Sequence, residues 1–272
     1  MFGAGENVFV MEGGGRGMNE AIVDSLYCWP VKGLSGQPLD EMRLRAHEPC
    51  ALDRLWAIER AGPVFDAAAP RHIPKGKFLQ LVNTPALARL KSRYDPQTTG
   101  LKLFEDGREV ASGTLASAEG RRAIEDFLAR WLGDLAPARP RVVGTRRHHF
   151  FDVPKPFVSL INLETLKELE RHTAKPLHPH RFRANIYVSG LPAWEETAWE
   201  GRELLLNGKP AFIAREQIGR CVATEVNPET GERDVVIPRM LLTTYGHKNC
   251  GLYLEPIADV RLKPGDVLGV AS

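Results

Sequence analysis

The apolar residues of this chain come in short runs closed by turn residues, and few stretches carry a helical stripe. Ile22–Trp29, Met42–Arg45, Leu55–Glu59, Phe78–Val82, Leu101–Phe104 and Arg108–Ala111 read as strands in the first half. Ala184–Val188, Glu203–Leu206, Ala211–Ala214 and Cys221–Val226 read the same way in the second. Turn chemistry separates the runs: Asp95-Pro96 before Gly100, Glu105-Asp106-Gly107, and Asn227-Pro228-Glu229-Thr230-Gly231. Lys263-Pro264-Gly265-Asp266 joins Val260–Leu262 to Val267–Val270, which predicts a closing hairpin. Helix enters at three places. Ile124, Phe127, Leu128, Trp131 and Leu132 share one face and stop at Gly133. Leu163, Leu166 and Leu169 form a second stripe, reaching His172, with Asn162 as N-cap. Leu87 and Leu90 predict a short helix over Ala86–Tyr94. The class is β-rich α+β, with small barrels or half-barrels as the economical way to bury so many short strands.

The organisation expected is a glycine-rich flexible arm over residues 1–19, a β-barrel-like domain over 20–116 and a second β-barrel domain with flanking helices over 117–272. The arm lacks the basic and apolar regions of a signal peptide. No apolar run approaches the ~20 residues that cross a bilayer, so no membrane span is predicted. Of 272 residues, 36 are Lys or Arg and 34 are Asp or Glu. That balance argues against a nucleic-acid partner, which asks for a basic face, and leaves any anionic ligand to a few placed cations. Cys28, Cys50, Cys221 and Cys250 form no CxxC pair and match no zinc framework. So few cysteines in a chain of this length predict reduced thiols and a cytoplasmic protein. His148-His149 and His178/His180 lack further ligands at a zinc spacing and read as solvated basic loops.

The candidate chemistry collects around one thiol. Arg220 precedes Cys221, and a neighbouring cation favours the thiolate; the bland alternative is a core cysteine on a strand. Lys32, Arg54, Arg181, Arg183 and Arg220 are candidate anion holders, against solvated surface positions. Ser159 and Asn162 precede the second helix, where free N–H groups can receive a phosphate or the side chains can simply cap. Asn185 lies in a strand run, where its amide serves a ligand or a neighbouring loop. Thr224 shares a side with Cys221 only if the strand bulges.

Three segments resemble the MOSC family, named for the C-terminal domain of molybdenum cofactor sulfurase. Trp29-Pro30-Val31-Lys32-Gly33 with Leu52-Asp53-Arg54-Leu55-Trp56 resembles the YPVKS and GDRRW patterns of the family's N-terminal β-barrel domain. Arg181-Phe182-Arg183-Ala184-Asn185-Ile186, followed by Glu195, Glu196 and Trp199, resembles the RFRPN and EDSW stretch of the MOSC domain. Arg220-Cys221 through Thr224 and Asn227-Pro228-Glu229-Thr230-Gly231 resembles its cysteine signature. Two departures stand out: Gly33 replaces the family's serine, and Asp66-Ala67-Ala68-Ala69-Pro70-Arg71 replaces a longer basic stretch.

The resemblance is to the branch that includes the amidoxime-reducing components. It implies molybdenum cofactor (molybdopterin), a pterin with a dithiolene and a phosphate. Cys221 would be the catalytic residue and metal ligand. Lys32 and Arg54 would reach the cofactor with Ser159, Asn162, Arg181, Arg183, Asn185, Arg220 and Thr224. The function implied is a molybdenum-dependent oxidoreductase acting on a small-molecule N-hydroxylated or N-oxide substrate. The chain shows no ferredoxin cysteine set or flavin motif, so electrons would come from an external iron–sulfur, flavin or haem reductase. A sulfur carrier or cofactor-delivery protein using a Cys221 persulfide is the alternative, and its sulfur would come from a partner because no pyridoxal-phosphate desulfurase module is evident. A binding module that kept the fold without catalysis is the third reading.

Overall fold

The computed structural model describes residues 20–145, 148–173 and 175–271. The arm expected over residues 1–19 and the Arg146-Arg147 pair lie outside them. In chain order the first half holds β1 (Glu20–Cys28), β2 (Gln37–Leu39), β3 (Met42–Leu44), β4 (Trp56–Glu59), β5 (Lys91–Asp95), β6 (Gly100–Glu105), β7 (Arg108–Thr114) and α1 (Ala118–Leu132). Then come β8 (Arg141–Gly144), β9 (Val158–Asn162), α2 (Leu163–Glu170), β10 (Ile186–Ser189), β11 (Glu203–Leu206) and β12 (Lys209–Gly219). The last are α3 (Ile237–Tyr245), β13 (Asn249–Pro256), β14 (Val260–Leu262) and β15 (Val267–Val270). The protein is a β-rich α+β fold.

Seven strands close a barrel in the order β10-β9-β13-β12-β11-β15-β1, and β1 completes the ring by pairing with β10. Alternate β1 residues Ala21 and Val23 point into a core with Val158, Leu160, Ile186, Phe212, Leu252 and Leu254. β9 and β10 run parallel, which a tight turn cannot join, and α2 supplies the crossover. Asn162 caps α2 by accepting from Glu164 N at 3.0 Å. A second core lies under α1, where Ile124, Leu128 and Leu132 meet Leu101 and Leu103 of the β5-β6-β7 sheet and Ile58 and Val142 of the β4-β8 pair. Ser117 caps α1, and Gly133 ends it as its apolar stripe predicts. Asp106 and Gly107 both take positive φ, +50° and +77°, the mirror-image turn that matches hairpin twist. The predicted β6–β7 hairpin forms on them.

Several local expectations are corrected. Ala86–Tyr94 is not an α-helix: Pro85–Arg89 is a 3₁₀ turn, and Lys91–Asp95 is β5, where pairing with β6 outweighs a short stripe. Phe78–Val82 makes one bridge, Glu59 to Phe78, and then turns. The closing hairpin does not pair with itself. The turn forms, with Asp266 N on Lys263 O at 3.1 Å, but β14 pairs with β3 and β15 with β1 and β11. Cys221–Val226 is not a strand either, because Val222–Glu225 is a 3₁₀ turn. The histidine pairs are half-buried rather than solvated: His148 packs against Phe65 and Phe150, and His180 against Tyr27 and Trp29.

Candidate functional site

Barrel register brings distant segments to one end. Leu26 of β1 faces Ile186 at the start of β10, and Ile186 faces Leu160 near the start of β9. Ser159 faces Tyr253 of β13, which faces Glu216 near the end of β12. The chain leaves β1 into Trp29–Gly33 and leaves β12 into Arg220-Cys221, so Lys32, Ser159, Asn185, Tyr253 and Cys221 line one cavity of about 390 Å³. The first half adds Asp53, Arg54, Lys75 and Gln80 to the same walls, and Asp152 comes from the segment before β9.

The cavity is cationic. Lys32, Arg54, Lys75, Lys155, Arg181, Arg183 and Arg220 face it against only Asp53, Asp152 and Glu216. Lys32 donates to Phe150 O at 2.8 Å and pairs with Asp152. Burial holds the Lys32 ammonium below its ordinary range, with Asp152 opposing. Asp152 keeps its carboxyl well below the carboxylate range: burial pushes up, but Lys32 and Lys75 outweigh it. Burial works against the charge on Arg54, and its partner Asp53 more than offsets this. Asp53 also accepts from Trp29 N at 2.7 Å, tying the Lys32 segment to the Arg54 turn. Arg183 stacks its guanidinium over the Trp29 ring, 4.2 Å from the centroid. Burial and then Arg54 push Arg183 down to about 9. Burial lowers Arg220 as well. Depressed cations signal positive charge that the protein has not fully matched, and a bound anion would match it.

Arg54 and Arg183 are both in the left-handed region, with φ of +50° and +51°. That conformation costs an L-residue energy and concentrates at functional sites. The two strained turns meet, since Arg54 Nη2 donates to Arg183 O at 3.2 Å. Gly33 has φ +89°, and a Cβ there would sit 2.5 Å from Leu79 O. This backbone therefore has no room for the serine of the family pattern.

Cys221 is half-buried, while Cys28, Cys50 and Cys250 are buried. Burial pushes the Cys50 and Cys250 thiols up to about 12 and the Cys28 thiol higher, so these three pack rather than react. Lys75 Nζ lies 3.7 Å from the Cys221 sulfur and 3.5 Å from Asp152 Oδ2. Lys75, Asp152 and Tyr253 were invisible to sequence reasoning; the only local cue to Lys75 is its neighbour Lys77 in a short basic turn.

Of the residues singled out from sequence, all but Asn162 line the cavity. Asn162 instead caps α2 and donates to Pro192 O and Glu196 Oε2 at 2.9 and 3.0 Å. Arg181 faces the cavity, but its terminal nitrogens hold the loop beyond Cys221, at 2.9 Å from Glu225 O and 2.6 Å from Asp234 Oδ1. Asn185 and Ser159 clamp each other: Asn185 Oδ1 accepts from Ser159 N and Oγ at 3.0 and 2.9 Å. Thr224 folds back so that its Oγ1 donates to Cys221 O at 2.9 Å, fixing the turn that presents the thiol. Among the described residues no three His, Cys, Asp or Glu side chains cluster as metal ligands.

A thiol beside a cation-lined cavity at the seam of a closed barrel and a smaller sheet defines the class. Residues 20–130 match the MOSC N-terminal beta barrel domain and residues 145–269 the MOSC domain, and the chain belongs to this family. It is 26% identical over 250 residues to mitochondrial amidoxime-reducing component 1 of Homo sapiens, a match spanning 82% of this chain and 71% of that protein. An 88-residue stretch is 36% identical to mitochondrial amidoxime reducing component 2 of Rattus norvegicus, covering 32% of this chain and 25% of that one. The solved YUAD protein of Bacillus subtilis aligns over 92% of this chain and 95% of its own at 14% identity, with a TM-score of 0.40, too distant to bear on the site.

The cavity suits the family's cofactor on its own chemistry. Two buried guanidinium nitrogens of residues that line it, Arg181 Nε and Arg220 Nη2, have no hydrogen-bond partner among the described residues. The excess of cations suits a phosphate, and the one half-exposed thiol is the softest donor present. No helix among the described residues is long and apolar enough to cross a membrane.

Proposed function

We propose that the protein binds molybdenum cofactor and reduces N-hydroxylated or N-oxide compounds with electrons from a separate redox protein. The observation that carries this reading is the half-buried Cys221 thiol in a cavity where seven cations face three carboxylates. When bound, the cofactor supplies a metal centre capable of two-electron chemistry. The protein does the rest. Lys32, Arg54 and Arg183 give an anionic group its charge partners, and Arg220 fixes the Cys221 turn by donating to Cys250 O and Phe182 O at 2.7 and 3.0 Å. Asn185 and Ser159 occupy each other, so they stiffen the wall and offer a ligand little beyond their spare lone pairs. Reduction of such a substrate takes up two electrons and two protons, breaks the N–O bond and releases the oxygen as water. Names of the relatives support the N-reductive class, since they are called amidoxime-reducing components. Those relatives are called mitochondrial; for this chain the few unpaired cysteines support the cytoplasm, which fractionation tests.

The test is molybdenum and pterin content of protein made in a host that synthesises the cofactor, wild type beside Cys221→Ala. Near-stoichiometric molybdenum in wild type, lost or loosened in the variant with its thermal unfolding unchanged, is expected. A wild type that folds and carries no molybdenum would turn attention to a persulfide on Cys221. Equal, equally tight molybdenum in both would remove Cys221 as the ligand.

A further inference from the structure

Lys75 lies outside the motifs that resemble the family's patterns, yet among the described residues it is the one donor to the Cys221 sulfur. It stands on a 3₁₀ turn, Lys75–Lys77, anchored where Gln80 Nε2 donates to Lys75 O at 2.7 Å. Asp152, itself paired with Lys32, holds the ammonium from the other side at 3.5 Å. An ammonium has three donors. Here one faces a carboxylate, one faces the sulfur, and the side chain keeps 41% of its surface exposed at the cavity mouth. The cations deeper in the wall are more fully committed. Lys32 already donates to Phe150 O and Asp152, Arg54 to Asp53 and Arg183 O, and Arg181 to the loop after Cys221, so they offer an anion their charge but fewer free donors.

An ammonium 3.7 Å from the sulfur is near enough to meet a group bound beside it. A compact, strongly hydrated point charge suits a single charged oxygen better than a planar fork does. A hydrogen bond to a charged acceptor is roughly twice as strong as one to a neutral acceptor. We propose that Lys75 grips the substrate oxygen beside Cys221 and biases the site toward substrates whose N–O oxygen carries a formal negative charge at the end of a strong dipole, amine N-oxides ahead of N-hydroxy compounds, whose oxygen carries none. This rests on the molybdenum-cofactor reading above and adds the substrate class and the residue that selects it.

The experiment uses molybdenum-loaded wild type, Lys75→Met and Lys75→Arg. Pyridine N-oxide and benzamidoxime are titrated calorimetrically into the oxidised protein, which cannot turn them over. KM and kcat are then measured under reducing conditions. Molybdenum per chain should be equal in all three proteins. Lys75→Met should weaken pyridine N-oxide binding by about tenfold or more, Lys75→Arg should recover part of it, and benzamidoxime should move less. The steady-state loss should fall mainly on KM. Unchanged pyridine N-oxide affinity, equal losses for both probes, or no binding of pyridine N-oxide to loaded wild type would overturn the assignment. Loss of molybdenum in Lys75→Met would overturn it too, by making Lys75 part of the cofactor cradle. Absence of molybdenum from wild type would instead bring down the cofactor reading, and this inference with it.

Discussion

Installing the family's serine at Gly33 tests whether the Lys32 turn is set by backbone geometry. Two costs add. Gly33 sits at φ +89°, and a left-handed conformation costs an L-residue about 1–2 kcal/mol. The new Cβ would also lie 2.5 Å from Leu79 O, where ordinary contact begins near 3.4 Å. The obstacle is backbone, so the Leu79-Gln80 segment must move, and forced repacking of this kind costs about 1–3 kcal/mol. The total is about 2–5 kcal/mol, which for a chain of this size lowers Tm on the order of 10 °C. Gly62 supplies the control. Its φ is +82°, yet nothing lies within 4 Å of its Cβ position, so Gly62→Ser carries the conformational cost alone. Thermal unfolding followed by circular dichroism, in both variants and wild type, separates the two terms. The expected order is wild type, then Gly62→Ser, then Gly33→Ser several degrees lower. If Gly33→Ser melts with or above Gly62→Ser, the Leu79 carbonyl yields freely and the steric argument fails.

Two further outcomes follow from buried titratable groups. Glu59 is fully buried and accepts from Val64 N, Phe65 N and Arg141 Nε at 2.9, 2.6 and 2.6 Å. Glu59→Ala leaves these donors unmatched and should cost about 3–5 kcal/mol, read by chemical denaturation; a change under about 1 kcal/mol would mean that water replaces the carboxylate. Burial, then His178 and Arg183, lower His180 from 6.5 to about 4. The unfolded state therefore binds the proton first, so stability is full above about pH 6.5 and falls as pH drops toward 4. His180→Phe should flatten the fall in Tm between pH 7 and 5, leaving a residual slope from His178 and His148, both also lowered by burial; an unaltered slope would remove His180 as its source.

Much of this fold was written in local patterns. The β-rich class follows from short apolar runs that pair almost where they are read, as at β4, β6, β11 and β12. α1 and its glycine stop follow from one stripe. What escaped is what long-range pairing decides. Lys91–Asp95 has modest strand chemistry and becomes β5 because β6 lies beside it. α3 opens on Ile237-Pro238, where the proline suits a first turn, but it has no side-chain cap and only nine residues to show a stripe. β13 carries Gly251 and ends in Pro256, residues that ordinarily argue against a strand, yet it lies between β12 and β9. At the site, motif positions led to Cys221, Lys32, Arg54, Arg183 and Arg220. Lys75 reaches the sulfur, and Asp152 reaches Lys75, from segments with no motif, because an ion pair between residues far apart in sequence leaves no spacing to read.

The dependence of the cavity on register explains why its residues come from both halves of the chain. β1 is the stave that closes the barrel, held by β15 on one side and β10 on the other. Only in that register does the chain leave Cys28 so that Trp29 N meets Asp53, the Trp29 indole donates to Ala184 O at 2.9 Å, and Lys32 reaches Phe150 O. A slip of one residue would turn Ala21, Val23 and Leu26 out of the core, and it would carry Lys32 off its partners. The apolar pattern that stabilises the barrel therefore also aims the cations. The site needs no separate ordering step for Lys32: burying the β1 face and delivering its charge to the Cys221 cavity are one event.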